Sequence, residues 1–110
     1  MRVAERPSPN HGPRPADTPV DMLVLHYTGM ATGEAALARL RDPAAAVSAH
    51  WLVDEAGGVV RLVDEDRSAW HAGISAWAGH VGLNGRSIGI EIVNGGHDFG
   101  LPPYPAAQIE

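Results

Sequence analysis

The chain has 110 residues and a formal net charge of −5, with 45% hydrophobic and 19% charged residues, the size and composition of one small soluble domain. No basic patch stands out, which argues against a nucleic-acid partner. The absence of cysteine excludes disulfides and thiolate zinc sites, and no stretch approaches the roughly 20 apolar residues of a membrane span.

Residues 1–19 contain Pro7, Pro9, Pro13, Pro15 and Pro19. Proline fixes φ and removes a backbone donor, so this segment reads as an extended arm, either disordered or wrapped around the domain that begins at residue 20. Next, Val20 to Gly29 (VDMLVLHYTG) is a near-continuous apolar run, the pattern of a central strand buried on both faces. His26 stands at its C-terminal end. Thr32 is placed to cap a helix, Glu34 suits the first turn, and Ala36, Leu37 and Leu40 form its apolar stripe. Asp42-Pro43 stops it. Ala49 to Val63 reads as two strands joined by a Gly57-Gly58 turn.

Asp64 to Arg86 shows no clear period and holds Trp70, His71, Trp77 and His80; a long irregular segment in a small domain is usually functional. Ser87 to Asn94 (SIGIEIVN) is a strand by its alternation. Ile88, Ile90 and Ile92 share one face, and Gly89 and Glu91 share the other. The final PPYPAAQIE begins like a helix, with Pro105 at its first position, and stops after about one turn. A lone turn lacks cooperative stability. The 110 residues are therefore expected to be part of a longer domain, to expose an apolar sheet face alone, and to be poorly stable.

A carboxylate inside an apolar strand has to be compensated. Glu91 is a salt-bridged residue, with Arg61 or Arg86 as partner, an edge residue facing water, or an acid with a chemical role. His26 is a hydrogen-bonded structural residue or a ligand. If the two strands are parallel neighbours, imidazole and carboxylate face one cleft at the strands' carboxyl ends, with Gly89 leaving space beside the acid. A neutral imidazole can bind zinc, and a carboxylate nearby can take a proton from its water. One histidine does not make a catalytic zinc site, which takes about three protein ligands, and no His-Glu-x-x-His or His-x-His spacing occurs. His71 is the better candidate for the cleft. His50 reads as core or cleft wall, and His11, His80 and His97 as solvated loop residues. No Gly-x-Ser-x-Gly elbow or phosphate loop is present.

The ordered set SPNHGPRP, MLVLHYTGM, VSAHWLVDEAGGVVRLV, AWHAG and LNGRSIGIEIVN resembles the zinc-dependent N-acetylmuramoyl-L-alanine amidases, whose fold is shared with peptidoglycan recognition proteins and phage T7 lysozyme. The resemblance implies an α/β fold, a mixed central sheet flanked by helices, with residues 20–110 as a partial catalytic domain. It implies that His26 is a Zn2+ ligand and Glu91 the catalytic acid/base. A further His and Asp ligand and an assisting Lys belong to a later segment and have no match here. Trp70, His71 and Trp77 are then expected to line the substrate cleft, packing of the loop onto the sheet being their structural alternative. The implied reaction is hydrolysis of the amide between N-acetylmuramic acid and L-alanine in peptidoglycan fragments. A non-catalytic peptidoglycan-binding module of the same fold, or a structural fragment that ligates nothing, are the alternatives. The N-terminus has no apolar run and hence no visible signal peptide, which favours a cytoplasmic recycling role over a periplasmic or cell-envelope one.

Overall fold

The computed structural model describes residues 3–30, 32–71, 76–77, 80–81 and 83–93. Its framework is a mixed five-stranded sheet built from β1 (Val3–Glu5), β3 (Met22–Tyr27), β4 (Trp51–Val53), β5 (Val59–Arg61) and β9 (Ser87–Ile92). The spatial order is β1-β5-β4-β9-β3. β4 and β5 are antiparallel, whereas β1–β5, β4–β9 and β9–β3 are parallel. Two smaller pairs lie outside it, β2 (His11–Pro13) with β6 (Arg67–Ala69) and β7 (Ala76–Trp77) with β8 (His80–Val81). The α/β expectation holds, with one helix, α1 (Gly33–Arg41), among the described residues.

Local chemistry explains the elements. The Thr32 hydroxyl accepts the Ala35 N–H (3.2 Å) and so caps α1, and Glu34 adds a negative charge where the helix dipole favours it. Ala36, Leu37 and Leu40 are buried against Leu52, Val60, Leu62, Val63, Ala69 and Val93, forming the core on one face of the sheet. The β4–β5 turn closes on Asp54, whose carboxylate accepts the N–H groups of Ala56 and Gly58. Gly57 there has φ 81°, a conformation that favours glycine.

The Pro-rich arm wraps the domain. β1 extends the main sheet, and β2 covers β6. Between them, the fully buried Asn10 amide donates to Asp42 O (2.9 Å) and Val47 O (2.8 Å), tying the arm to the end of α1 and the loop beyond it. Ser8 donates to Leu40 O and Ser48 to Asn10 O. Arg14 then reaches under β9. Its guanidinium donates to the carbonyls of Glu65 (2.8 Å), Asn84 (3.3 Å) and Ser87 (3.0 Å).

Three expectations need correction. β3 is an edge strand, not a central one, and Leu23, Leu25 and Tyr27 on its outer face are 62%, 61% and 51% exposed. An apolar run reports which side chains tolerate burial, not whether a layer lies over them. The segment from Asp64 to Arg86 holds three strands and a 3-10 turn (Leu83–Arg86), each too short to print a period. His11 is no solvated loop residue: it lies in β2, and its Nδ1 accepts from Arg67 Nε (3.1 Å). The helix start at Pro105, and with it His97, lies outside the described residues.

Asn10→Ala removes the amide donor from the carbonyls of Asp42 and Val47 and frees the arm. The expected loss is about 2 kcal/mol in chemical denaturation, with little change in an Ala substitution at exposed Arg39.

Candidate active site

β3 and β9 run parallel with Val24 opposite Gly89 and His26 opposite Glu91. Residues in register share a face, and alternation puts Ser87, Gly89 and Glu91 on it together. Leu52 of β4, also in register with Glu91, points the same way. This is the α1 side of the sheet, so imidazole and carboxylate emerge from adjoining strands into one space. The backbone secures the pairing at both ends, through Asp21 N–H to Arg86 O (3.0 Å) and Thr28 N–H to Ile92 O (3.1 Å).

Glu91 Oε2 is buried without a hydrogen-bond partner. Neither arginine that the sequence offers reaches it. Arg61 pairs with Glu5 (3.5 Å) and stacks on Trp51, and Arg86 pairs with Asp21. Desolvation therefore acts uncompensated and pushes the Glu91 carboxyl up to about 7 from 4.5. The acid borders a cavity of about 120 Å³ between the sheet and α1, lined also by Thr28, Met30, Arg39, Trp70 and His71. His26 lies beside it, its ring turned toward His71.

The space above Gly89 is filled by the His71 ring: a Cβ at position 89 would lie 2.4 Å from His71 Cγ. Both nitrogens of that ring are engaged, Nδ1 with His26 Nε2 (2.9 Å) and Nε2 with Ser87 Oγ (2.8 Å). The two imidazoles meet edge to face, 5.1 Å apart and inclined by 72°. The His71 backbone N–H donates to Asn84 Oδ1 (3.1 Å). Burial first, then the neighbouring His26, His50 and Arg14, lower His71 to about 4, so it is neutral near pH 7. Burial likewise lowers His26, which keeps its imidazole neutral.

His50 is wholly buried and builds the sheet. Its backbone N–H donates to Gly89 O (3.0 Å), and its Nδ1 accepts the Gly89 N–H (3.0 Å). Nε2 consequently carries the proton and donates to Arg67 O (2.8 Å). A side chain thus extends the β4–β9 ladder by one residue. Of the aromatic candidates, Trp70 is 37% exposed and lines the cavity, with its backbone N–H donating to Ser48 Oγ (2.9 Å). Trp77 falls in β7, and its side chain lies outside the described residues. Ser87 and Asn84, which hold His71, escape a reading based on motifs. The one available clue is the alternation Ser87-Gly89-Glu91, a gap between two polar groups on one strand face.

The residues present suit one edge of a zinc site. They supply a neutral imidazole and a buried carboxylate whose second oxygen has no partner. No group of three His, Cys, Asp or Glu residues able to hold a metal occurs among the described residues.

The profile of the N-acetylmuramoyl-L-alanine amidases matches residues 16–110. The chain belongs to the N-acetylmuramoyl-L-alanine amidase family. Among relatives, the 1,6-anhydro-N-acetylmuramyl-L-alanine amidase AmpD of Enterobacter cloacae is 37% identical over 94% of this chain and 63% of its own length. The N-acetylmuramoyl-L-alanine amidase AmiD of Escherichia coli K12 is 39% identical over 83% of this chain and 36% of its own. A crystal structure of AmpD superposes with a TM-score of 0.80 at 34% identity, covering 96% of this chain and 66% of that one. AmiD from E. coli, in complex with anhydro-N-acetylmuramic acid-L-Ala-D-gamma-Glu-L-Lys, superposes with a TM-score of 0.73 at 40% identity over 86% and 40% of the two chains. The amidase-like mixed sheet expected from the sequence is the fold these structures share with it. This chain spans less than two thirds of the length of either curated relative.

Two groups of the site, Glu91 and His71, give the protein opposed pH dependences. The folded state holds the Glu91 proton more tightly than the unfolded chain, so stability falls as pH rises from 4.5 to about 7. It holds a proton on His71 less tightly, so stability falls as pH drops from 6.5 to about 4. Glu91→Gln removes the first effect alone. Without metal the variant is expected to match the parent near pH 4 and to exceed it by about 2–3 kcal/mol at pH 8, measured by urea unfolding in chelator.

Proposed function

We propose that this family member hydrolyses the amide between N-acetylmuramic acid and L-alanine in peptidoglycan fragments, with a zinc ion at His26. One observation carries the reading: His26 and Glu91 stand in register on parallel strands, with a buried carboxylate oxygen left without a protein partner. The names of the relatives, and the anhydro-muropeptide bound in the AmiD structure, support that substrate class. Zinc is supported by the neutral imidazole of His26 and by the acid beside it. Such an ion would act as a Lewis acid on the scissile carbonyl and on water.

The chain's own residues do the rest. Glu91, with its pKa pushed to about 7 by burial, is suited to take a proton from the attacking water and pass it to the departing L-alanyl nitrogen. Apolar side chains of Met30, Ala36, Leu40 and Val47 line the cavity beside the acid and keep its surroundings of low polarity. Trp70, at the cavity rim, offers an aromatic face to a sugar ring. His71 lines the same cavity with both ring nitrogens engaged.

In the full-length protein, Glu91→Gln is expected to retain zinc by elemental analysis and to lose about 10²–10⁴-fold in turnover, read as L-alanyl peptide released from muropeptide. A chelator should abolish release by the parent, and His26→Ala should lose the metal. Full turnover by Glu91→Gln would remove that residue from the chemistry. Tight muropeptide binding with no cleavage would identify the chain as a binding module.

A further inference from the structure

The hydrogen bonds around His71 have a direction, fixed by counting protons. The Ser87 hydroxyl has one hydrogen, and it is donated to Leu83 O (2.7 Å). Toward His71 the same oxygen accepts, so the proton on the His71 ring sits on Nε2, 2.8 Å away. A neutral ring with Nε2 protonated presents a lone pair at Nδ1. The partner of that lone pair is His26 Nε2 at 2.9 Å, which must therefore bear the proton it shares. The relay runs from His26 Nε2–H to His71 Nδ1, from His71 Nε2–H to Ser87 Oγ, and from Ser87 O–H to a backbone carbonyl. Each contact in the relay pairs one donor with one acceptor.

The relay is built into the fold at three points. Gly89 is the only residue type that leaves room for the His71 ring, since any Cβ there would overlap Cγ. Asn84 fixes the His71 backbone. Arg14 holds the carbonyl of Ser87.

We infer that His71 is the positioning residue for His26: it fixes the Nε2–H tautomer and the ring plane, so that Nδ1 is the nitrogen His26 offers to a metal. This rests on the zinc reading above for the identity of the metal, but the tautomer stands independently of it. His26 is otherwise an imidazole on an edge strand, free to rotate about χ2 and to exchange tautomers. Orienting partners of this kind typically change metal affinity by about 10–100-fold.

Two readouts test it in the full-length protein. Long-range ¹H–¹⁵N spectra of the metal-free protein, labelled at histidine, should show His26 with a protonated Nε2 and an unprotonated Nδ1. His71→Phe keeps the ring shape and removes both hydrogen bonds. It should give a mixture of His26 tautomers and weaken Zn2+ binding by about 10–100-fold in competition with a chelating dye. His71→Asn, whose Oδ1 falls near the position of Nδ1, should restore the tautomer and most of the affinity. Ser87→Ala gives the same direction of change without touching either ring, which covers the case in which His71→Phe fails to fold. A protonated Nδ1 on His26 in the parent overturns the inference, as does unchanged tautomer and affinity in His71→Phe and Ser87→Ala. Failure of the parent to bind Zn2+ would instead defeat the zinc reading and the metal half of this inference, while the metal-free spectrum decides the tautomer.

Discussion

The parallel pairing of β3 with β9 is the constraint on which the site depends. Strand registry is discrete: a slip of one residue would turn His26 to the opposite face from Glu91. The apolar alternation of Ile88, Ile90 and Ile92 on one side and Ser87, Gly89 and Glu91 on the other makes that slip costly. Backbone hydrogen bonds beyond both ends of β3 hold the same register. Two groups separated by 65 positions in the chain thus become neighbours through backbone geometry, with no side-chain contact needed to align them.

Around this pair the fold places three imidazoles with three different duties. His50 is a backbone surrogate, taking the Gly89 N–H that a strand neighbour would otherwise receive. His71 occupies the volume that Gly89 vacates and links β3 to β9. His26 commits its Nε2 to His71 and leaves Nδ1 for another partner. Electrostatics follow the same division. Buried, neutral rings share a sheet face with a carboxylate that desolvation drives toward neutrality, so the site carries little charge near pH 7. A cation entering it would reverse that balance and favour ionised Glu91.

Much of this was legible in the residues. The helix from Thr32 to Asp42 followed from one cap, one apolar stripe and one Asp-Pro stop, and its termini lie where those signals put them. The β4–β5 hairpin followed from its glycines, while the pairing of His26 with Glu91 was legible only as a condition, that their two strands be parallel neighbours, which the register meets. What did not show was anything carried by long-range pairing of short pieces. A three-residue strand has no period, so β1, β2 and β6 were invisible, and the prolines around β1 and β2 spoke for an arm rather than for sheet. The hydrogen-bond partners of His71 were hidden for another reason. Its sequence neighbours, Trp70 and Gly73, mark a loop, while its partners His26, Ser87 and Asn84 belong to other segments.

The arm has a practical consequence for where this domain may be cut. The profile match begins at residue 16, yet Ser8, Asn10 and Arg14 lie before it. Trimming to the profile would strip a strand from the sheet edge, unseat the far end of α1, and release the guanidinium braced beneath Ser87. The structural unit is thus longer than its family signature, and residues 3–15 act as a strap drawn under the site.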